Sequence, residues 1–337
     1  MDKKNNLPST KYNGAKALAF LSFLLVILFL TSCSVNNKDG SPKPPKGYWN
    51  MTTLKIAYVL GAIDQIEMKF PVPDNLIEYK DVVYKTIDST DLHLDIYHSK
   101  NLTKKAPLLL FIHGGGLSKG DKSDYLVYTC AFAQKGYVTA SVQYRFVDKV
   151  KFPAQLYELK AALRWLKENA NKYHIDPNKI ALIGGSAGGH LAMMTGYTSD
   201  IKKFNEENDS LISYKVQAIV DLYGPVDFTT KWAREHRISV NMFGKTYDED
   251  PKIFERSSPI QYISKDDPPT LIFQGTIDDL VPVSQSDTLE LRLKKAGVPV
   301  EYHRLKGWPH AMDIEVGVNA YCQYYMERFF EKYIPKN

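Results

Sequence analysis

Three short stretches of the chain carry residues whose types and spacing could do covalent chemistry. The first is Gly184-Gly185-Ser186-Ala187-Gly188-Gly189, which follows the apolar run Ile180-Ala181-Leu182-Ile183 and opens an expected helix from His190 to Tyr197. A serine at a tight strand-to-helix turn must take an unfavourable backbone, so its neighbours have to be small. Every residue within two positions of Ser186 is Gly or Ala. Such a turn exposes the hydroxyl at a helix N-terminus, where amide N–H groups favour a developing anion. A turn that merely packs helix on strand would use similar residues, but a strand before and a helix after favour a nucleophile. The second stretch is His113-Gly114-Gly115-Gly116, at the end of Leu108-Leu109-Leu110-Phe111-Ile112. Consecutive glycines there let the backbone approach a substrate and turn N–H groups inward. Two or three such donors stabilise a tetrahedral oxyanion, and losing one costs about 3 kcal/mol. Gly115, Gly116 and Ala187 are the candidate donors.

The third stretch must supply a base. A bare serine hydroxyl is a poor nucleophile and needs a histidine oriented by a carboxylate. Where the serine sits on a strand–turn–helix, the order along the chain is Ser, then Asp or Glu, then His. His190, His236, His303 and His310 follow Ser186. His190 lies one helical turn on and cannot swing back to the hydroxyl. His236 precedes the best acid, and His303 falls inside the last expected strand. His310, in Gly307-Trp308-Pro309-His310, follows that strand at the correct edge and is the expected base. The acid belongs after the strand Thr270 to Phe273, where Asp278 and Asp279 compete. Either of them could instead form a turn or cap a helix.

These residues need a frame. Val82 to Ile87 and Leu92 to Tyr97 read as a hairpin around Ser89-Thr90-Asp91. Leu108 to Ile112, Tyr137 to Val142, Ile180 to Ile183, Val216 to Leu222, Thr270 to Phe273 and Val300 to Leu305 read as further strands. Most are continuous apolar runs, as parallel strands buried on both faces should be. Between them lie helical stretches, the clearest from Pro153 to Lys172, with Leu156, Leu159, Leu163 and Leu166 at 3- and 4-residue spacing. The expected fold is α/β, a mostly parallel central sheet with helices on both faces. Residues 228–262 contain no clear core strand and are expected to form a small lid over the C-terminal edge of the sheet, where such folds place their sites. From this lid Trp232, Met242, Phe243 and Tyr247 are expected to face the substrate, with Leu117 beside the oxyanion glycines. Met51 to Phe70 has roughly helical spacing and is expected to cover part of the fold.

The first 32 residues of the 337 read as a leader. Lys3, Lys4, Lys11 and Lys16 precede the apolar run Ala17 to Leu30, which is shorter than the roughly 20 residues a membrane span needs. The run ends in Leu30-Thr31-Ser32-Cys33, which is similar to the lipobox of bacterial lipoproteins. That resemblance implies lipidation of Cys33 and export to the periplasmic or cell-surface side of a membrane, with the lipid as the only membrane contact. Proline-rich residues 33–50 are expected to be a tether, leaving 51–337 as one domain. The net charge of +5 falls once the leader lysines are removed, and no basic aromatic patch points to nucleic acid. Cys130 and Cys322 fall in expected helices and read as buried free thiols. There is no Cys/His cluster with zinc-ligand spacing.

From about Val82 to the C-terminus the chain resembles the hormone-sensitive-lipase-like and feruloyl/acetyl-esterase branch of bacterial α/β-hydrolases. The resemblance is carried by His113 to Gly116, Tyr144-Arg145, Ala162 to Leu166, Asp176-Pro177, Gly184 to His190, Gly275 to Pro282 and His310. The run Gly275 to Pro282 is similar to the G-x-x-D-x-x-V-P pattern of the family, which implies that Asp278 is the acid. Three departures stand out. Leu117 replaces a common aromatic residue, Glu158 stands where Asp is common, and Gln274 stands where His is frequent. The last two are expected to lie one residue removed from the chemistry. The resemblance implies serine carboxylesterase activity on short-chain or aromatic acyl esters, through an acyl-serine intermediate and without metal or cofactor. An exported esterase meets ester-decorated polysaccharide, so acetyl or feruloyl esters of plant glycans are the expected substrates. A general short-chain carboxylesterase or lipase is the alternative enzyme, and a peptidase of this fold would usually carry a large extra domain. A non-catalytic binding lipoprotein on the same fold would have no need of the intact serine, acid, histidine and glycine run.

Overall fold

Alternation of side chains about each strand decides the architecture. The strands are β1 (Leu76–Ile87), β2 (Thr90–Ser99), β3 (Ala106–Ile112), β4 (Val138–Val142), β5 (Ile175–Gly185), β6 (Ala218–Leu222), β7 (Thr270–Gly275) and β8 (Val300–Leu305). They form one sheet in the order β1-β2-β4-β3-β5-β6-β7-β8. β2 runs antiparallel to both of its neighbours, and every pairing from β4 to β8 is parallel. The computed structural model describes residues 37, 39–205 and 212–336. The leader and Cys33 lie outside the described residues.

Helices cover both faces. They are α1 (Met51–Val59), α2 (Leu126–Gln134), α3 (Ala154–Glu168), α4 (Ala187–Tyr197), α5 (Lys231–Glu235), α6 (Arg237–Phe243), α7 (Pro251–Arg256), α8 (Ser284–Ala296) and α9 (Val316–Tyr333). On one face Leu108, Leu110 and Ile112 of β3 join Leu156, Leu159 and Leu163 of α3, Leu191 of α4 and Leu289 of α8. On the other, Leu109 and Phe111 join Phe132 of α2 and Phe330 of α9. Burial on both faces explains why the central strands read as unbroken apolar runs. The two edge strands, β1 and β8, are mostly unburied.

Four sequence expectations shift. The hairpin turns at Asp88-Ser89, both with positive φ, because Ile87 still pairs with Thr90. β5 starts earlier, at Ile175, where Ala106 and Pro107 pair with Ile175 and Asp176 before the register slips. The long helix ends at Glu168, where the Asn169 side chain donates back to the Trp165 carbonyl at 2.9 Å. The expected tether is shorter, because its last residues pack. The Trp308 indole donates to the Pro45 carbonyl at 2.9 Å, and the Tyr48 amide donates to Gly307 O at 2.8 Å. Cys130 and Cys322 are buried and free. Among the described residues no helix is long and apolar enough to cross a membrane.

Candidate active site

The strand-to-helix turn places Ser186 at φ 56° and ψ −121°, a strained region for a residue with a side chain. The strain is held by its surroundings. The Ser186 amide donates to Leu222 O at 2.8 Å, and its carbonyl accepts from the His190 amide at 3.0 Å as α4 begins. A Cβ at Gly188 would collide with the Ile112 carbonyl, so β3 and α4 touch here only because the side chain is absent. The glycine spacing read from sequence is thus a steric requirement of this turn.

The loop after β7 carries the acid. Asp278 Oδ1 accepts from the amides of Leu280 and Val281, each at 2.9 Å. Its Oδ2 lies 2.7 Å from His310 Nδ1 and accepts from Gln274 Nε2 at 3.0 Å. The Asp278 side chain is fully buried and His310 is 12 % exposed. His310 Nε2 in turn lies 2.9 Å from Ser186 Oγ. With Nδ1–H donated to the carboxylate, Nε2 is left to accept the serine hydroxyl. Asp279 is exposed beside this relay, so Asp278 is the carboxylate the fold joins to His310. A Cβ at Gly275 would strike the Trp308 carbonyl, which lets the acid loop and the histidine loop lie against each other. The Ile277 amide donates to that carbonyl at 3.1 Å.

Gln274 grips the acid directly while its Oε1 accepts from Ser286 Oγ at 3.0 Å. Glu158 sits apart, 2.5 Å from Arg145 Nε. The other histidines serve structure. His190 is buried with Nε2 against Ser257 O at 2.7 Å, and burial pulls its pKa down to about 4. His303 stacks on Phe273 and meets the Tyr321 hydroxyl at 2.8 Å.

Gly115 and Gly116 take φ 98° and 62°, and with Ser186 and Ala187 they border one cavity of about 1240 Å³. The glycine loop is buckled from behind. The Tyr144 hydroxyl donates to His113 O at 2.8 Å, and the His113 ring stacks on Tyr144 with centroids 4.3 Å apart. Burial holds His113 below the usual histidine range, and its Nδ1 faces the Gly114 carbonyl at 2.9 Å. A neutral ring with Nδ1–H as donor satisfies that contact.

The lid residues divide. Trp232 and Met242 line the cavity, as expected. Phe243 does not. It is packed among Phe228, Phe254 and Phe152, at centroid distances of 5.2, 4.7 and 6.1 Å. Tyr247 also turns away, against Phe254 and under the Arg234 guanidinium. Leu117, at φ 57°, directs a fully buried side chain into the core rather than the cavity. Ile238, which the sequence reading did not single out, stands beside the glycines in its stead, and a Cβ on Gly116 would meet its methyl at 3.4 Å.

Sequence reasoning missed the floor of the site. Asp313 accepts from the hydroxyls of Tyr223 and, at 3.2 Å, Tyr128. The Tyr223 ring lies 4.6 Å from the His310 ring. Burial pushes the Asp313 carboxyl up, against the pull of both hydroxyls and of His310. The available signal was position: Tyr223 directly follows β6 at the same sheet edge as Ser186, and Asp313 is three residues past His310.

Comparison with known proteins agrees with this geometry. Residues 94–293, more than half of the chain, match the BD-FAE family model. Esterase LipC of Mycobacterium tuberculosis is 32% identical over 236 residues, 67% of this chain and 58% of that protein. The chain spans a little over half the length of such curated relatives. A truncated carbohydrate esterase from gut microbiota is 26% identical with a TM-score of 0.66, covering 78% of this chain and 99% of the other. A Thermogutta terrifontis esterase solved with butyrate bound is 26% identical with a TM-score of 0.66, covering 78% and 97%. With the sheet order, the strained serine turn and these matches together, the chain belongs to the BD-FAE family of α/β-hydrolases.

Proposed function

We propose that this protein is a serine carboxylesterase that acts through an acyl-Ser186 intermediate. The observation that carries the reading is the unbroken relay Asp278–His310–Ser186, with links of 2.7 and 2.9 Å, opening into a large cavity. His310 Nε2 takes the hydroxyl proton as Ser186 Oγ attacks the ester carbonyl carbon. The carbonyl oxygen becomes an anion, and the amides of Gly115, Gly116 and Ala187 are the proposed donors to it. Collapse breaks the bond to the alcohol, which leaves with the proton from Nε2. Water then gives a proton to Nε2 as its oxygen attacks the acyl carbon, and collapse breaks the bond to Ser186 Oγ, which takes that proton back from Nε2 and releases the acid. Asp278, 2.7 Å from Nδ1, orients the ring and stabilises the imidazolium in both halves.

The substrate reading is acetyl or feruloyl esters of polysaccharide. The cavity is large for a short acyl group alone, and its walls are of two kinds. Trp232, Phe228 and Met242 offer an apolar side, whereas Lys119, Asn241 and Arg237 offer a polar one suited to a saccharide alcohol. The chain is further proposed to be an exported lipoprotein, acylated at Cys33. Mass spectrometry of the membrane-purified protein should find two or three acyl chains on an N-terminal Cys33. A mature chain beginning elsewhere removes that reading.

Kinetics on acetylated xylan, methyl ferulate and p-nitrophenyl esters of graded length test the substrate. The reading expects kcat/KM on acetylated xylan or methyl ferulate to exceed that on p-nitrophenyl butyrate or longer esters. A maximum on octanoyl or longer esters would instead identify a lipase-like carboxylesterase. No turnover of any ester would leave a binding protein on the same fold.

A further inference from the structure

Helix α1 is ordered, yet it buries nothing. Reciprocal capping starts it: Asn50 Oδ1 accepts from the Thr53 amide at 3.0 Å, and Thr53 Oγ1 accepts from the Asn50 amide at 3.1 Å. Both flanks grip the loop that carries His310. Before it, Pro45 and Tyr48 bond Trp308 and Gly307. After it, the Ile66 amide donates to Ile314 O at 2.8 Å and the Val316 amide donates to Asp64 O at 2.9 Å. None of the nine residues between is buried. Trp49 is 90 % exposed, Val59 82 % and Leu60 76 %, with Ile56 and Tyr58 also exposed. Behind the helix runs a groove of about 440 Å³, walled by Leu54, Tyr58, Ile63, Trp308, Met312 and Ile314. A helix this short does not sustain itself in water, where isolated helices below about 12 residues are marginal. Contiguous apolar surface of this kind marks an interaction site.

We propose that α1 and its groove dock on a lipid bilayer, with Trp49, Ile56, Val59 and Leu60 entering the boundary between headgroups and acyl chains. The proposal rests on the reading of Cys33 as a lipid anchor. Chain length argues for this occupant. Pro45, whose carbonyl Trp308 holds, is 12 positions beyond Cys33. At about 3.5 Å per residue the intervening chain reaches no further than about 40 Å, so the bilayer is never far from α1. A second contact on such a tether is intramolecular, with an effective concentration on the order of millimolar, so weak interfacial affinity suffices. The side chains suit the place: aromatic residues settle at the headgroup level, and Lys46 and Lys55 would face anionic lipid. Ile314 borders both this groove and the catalytic cavity. Docking would therefore turn the cavity rim formed by Ile66, Met68 and Ile314 towards the bilayer.

The test uses the full-length lipidated protein reconstituted into phosphatidylcholine–phosphatidylglycerol vesicles whose phosphatidylcholine is brominated along its acyl chains. Trp49 is one of four tryptophans. The proposal expects bromination to quench one tryptophan's share of the emission, and Trp49→Phe to abolish that loss. The triple variant Ile56→Ser/Val59→Ser/Leu60→Ser should also escape quenching, yet hydrolyse p-nitrophenyl acetate at the parent rate, which shows it folded. Protein that floats with vesicles but shows no Trp49 quenching overturns the docking and leaves the anchor standing. Protein that fails to float overturns both. A Trp49 shielded by self-association, unquenched by bromolipid, assigns the face to a second copy and also overturns the proposal.

Discussion

Replacing Asp278 by Asn reads out the hydrogen-bond polarity of the relay. In the native site Oδ1 accepts two backbone amides, and Oδ2 accepts from His310 and Gln274. An asparagine must keep its carbonyl towards Leu280 and Val281, because its NH₂ would otherwise face two fixed N–H groups. The NH₂ therefore replaces Oδ2 and confronts two donors. Gln274 can relieve its half by rotating its amide, since Ser286 can accept as well as donate, though its bonds to the carbonyls of Gly275 and Val281 are then lost. His310 can relieve its half only by moving its proton to Nε2. That places an N–H against Ser186 Oγ and leaves no base. The expected loss is roughly 10⁴ in kcat, about 5 kcal/mol of transition-state stabilisation. Asp279→Asn, on an exposed side chain, should change kcat less than twofold, as surface changes generally do. The assay is kcat on p-nitrophenyl acetate with a thermal melt of each variant. An Asp279→Asn effect as large as that of Asp278→Asn, both variants being folded, would refute the argument.

Gln274→Ala should lower kcat by about tenfold, the scale of one charge-assisted hydrogen bond to the carboxylate, with little change in KM. Phe243→Ala should cost about 3–5 kcal/mol in denaturant unfolding, because it empties the aromatic box under the lid. Trp232→Ala, on the cavity wall, should instead raise KM with stability nearly unchanged. His190 has a folded pKa of about 4 against an ordinary 6.5, so an acidified unfolded chain takes up its proton first. Its contribution is present above pH 6.5 and lost as pH falls towards 4, by roughly 3 kcal/mol. His190→Gln, which keeps a donor for Ser257 O, should flatten that decline in Tm.

What could be read in the sequence was whatever depends on short-range sterics or on order along the chain. Ser186 announced itself because its turn excludes any neighbour with a bulky side chain, and His310 because the candidates before it were in the wrong place. Asp278 and Asp279 could not be separated by residue type, since both follow the same strand. Their roles differ through the amides of Leu280 and Val281, which only the folded loop aims at one carboxylate. The pocket was less legible. Phe243 and Met242 are adjacent in α6, and which of them faces the cavity depends on Phe152, Phe228 and Phe254 closing around one side. Leu117 turns inward because the chain reverses with positive φ at Gly115, Gly116 and Leu117 itself. The Tyr223–Asp313–Tyr128 floor joins β6, α2 and the segment after His310, contacts between residues 90 and 185 positions apart. No local pattern encodes such a contact.

The central claim is that Ser186 is the nucleophile and that His310 activates it. Incubation with p-nitrophenyl diethyl phosphate followed by peptide mass spectrometry tests both at once. The geometry predicts one diethylphosphoryl group per chain, located on Ser186, with esterase activity lost in proportion, and labelling abolished in Ser186→Ala and slowed by orders of magnitude in His310→Ala. Label on another residue, or stoichiometric label on Ser186 at an undiminished rate without His310, would contradict it.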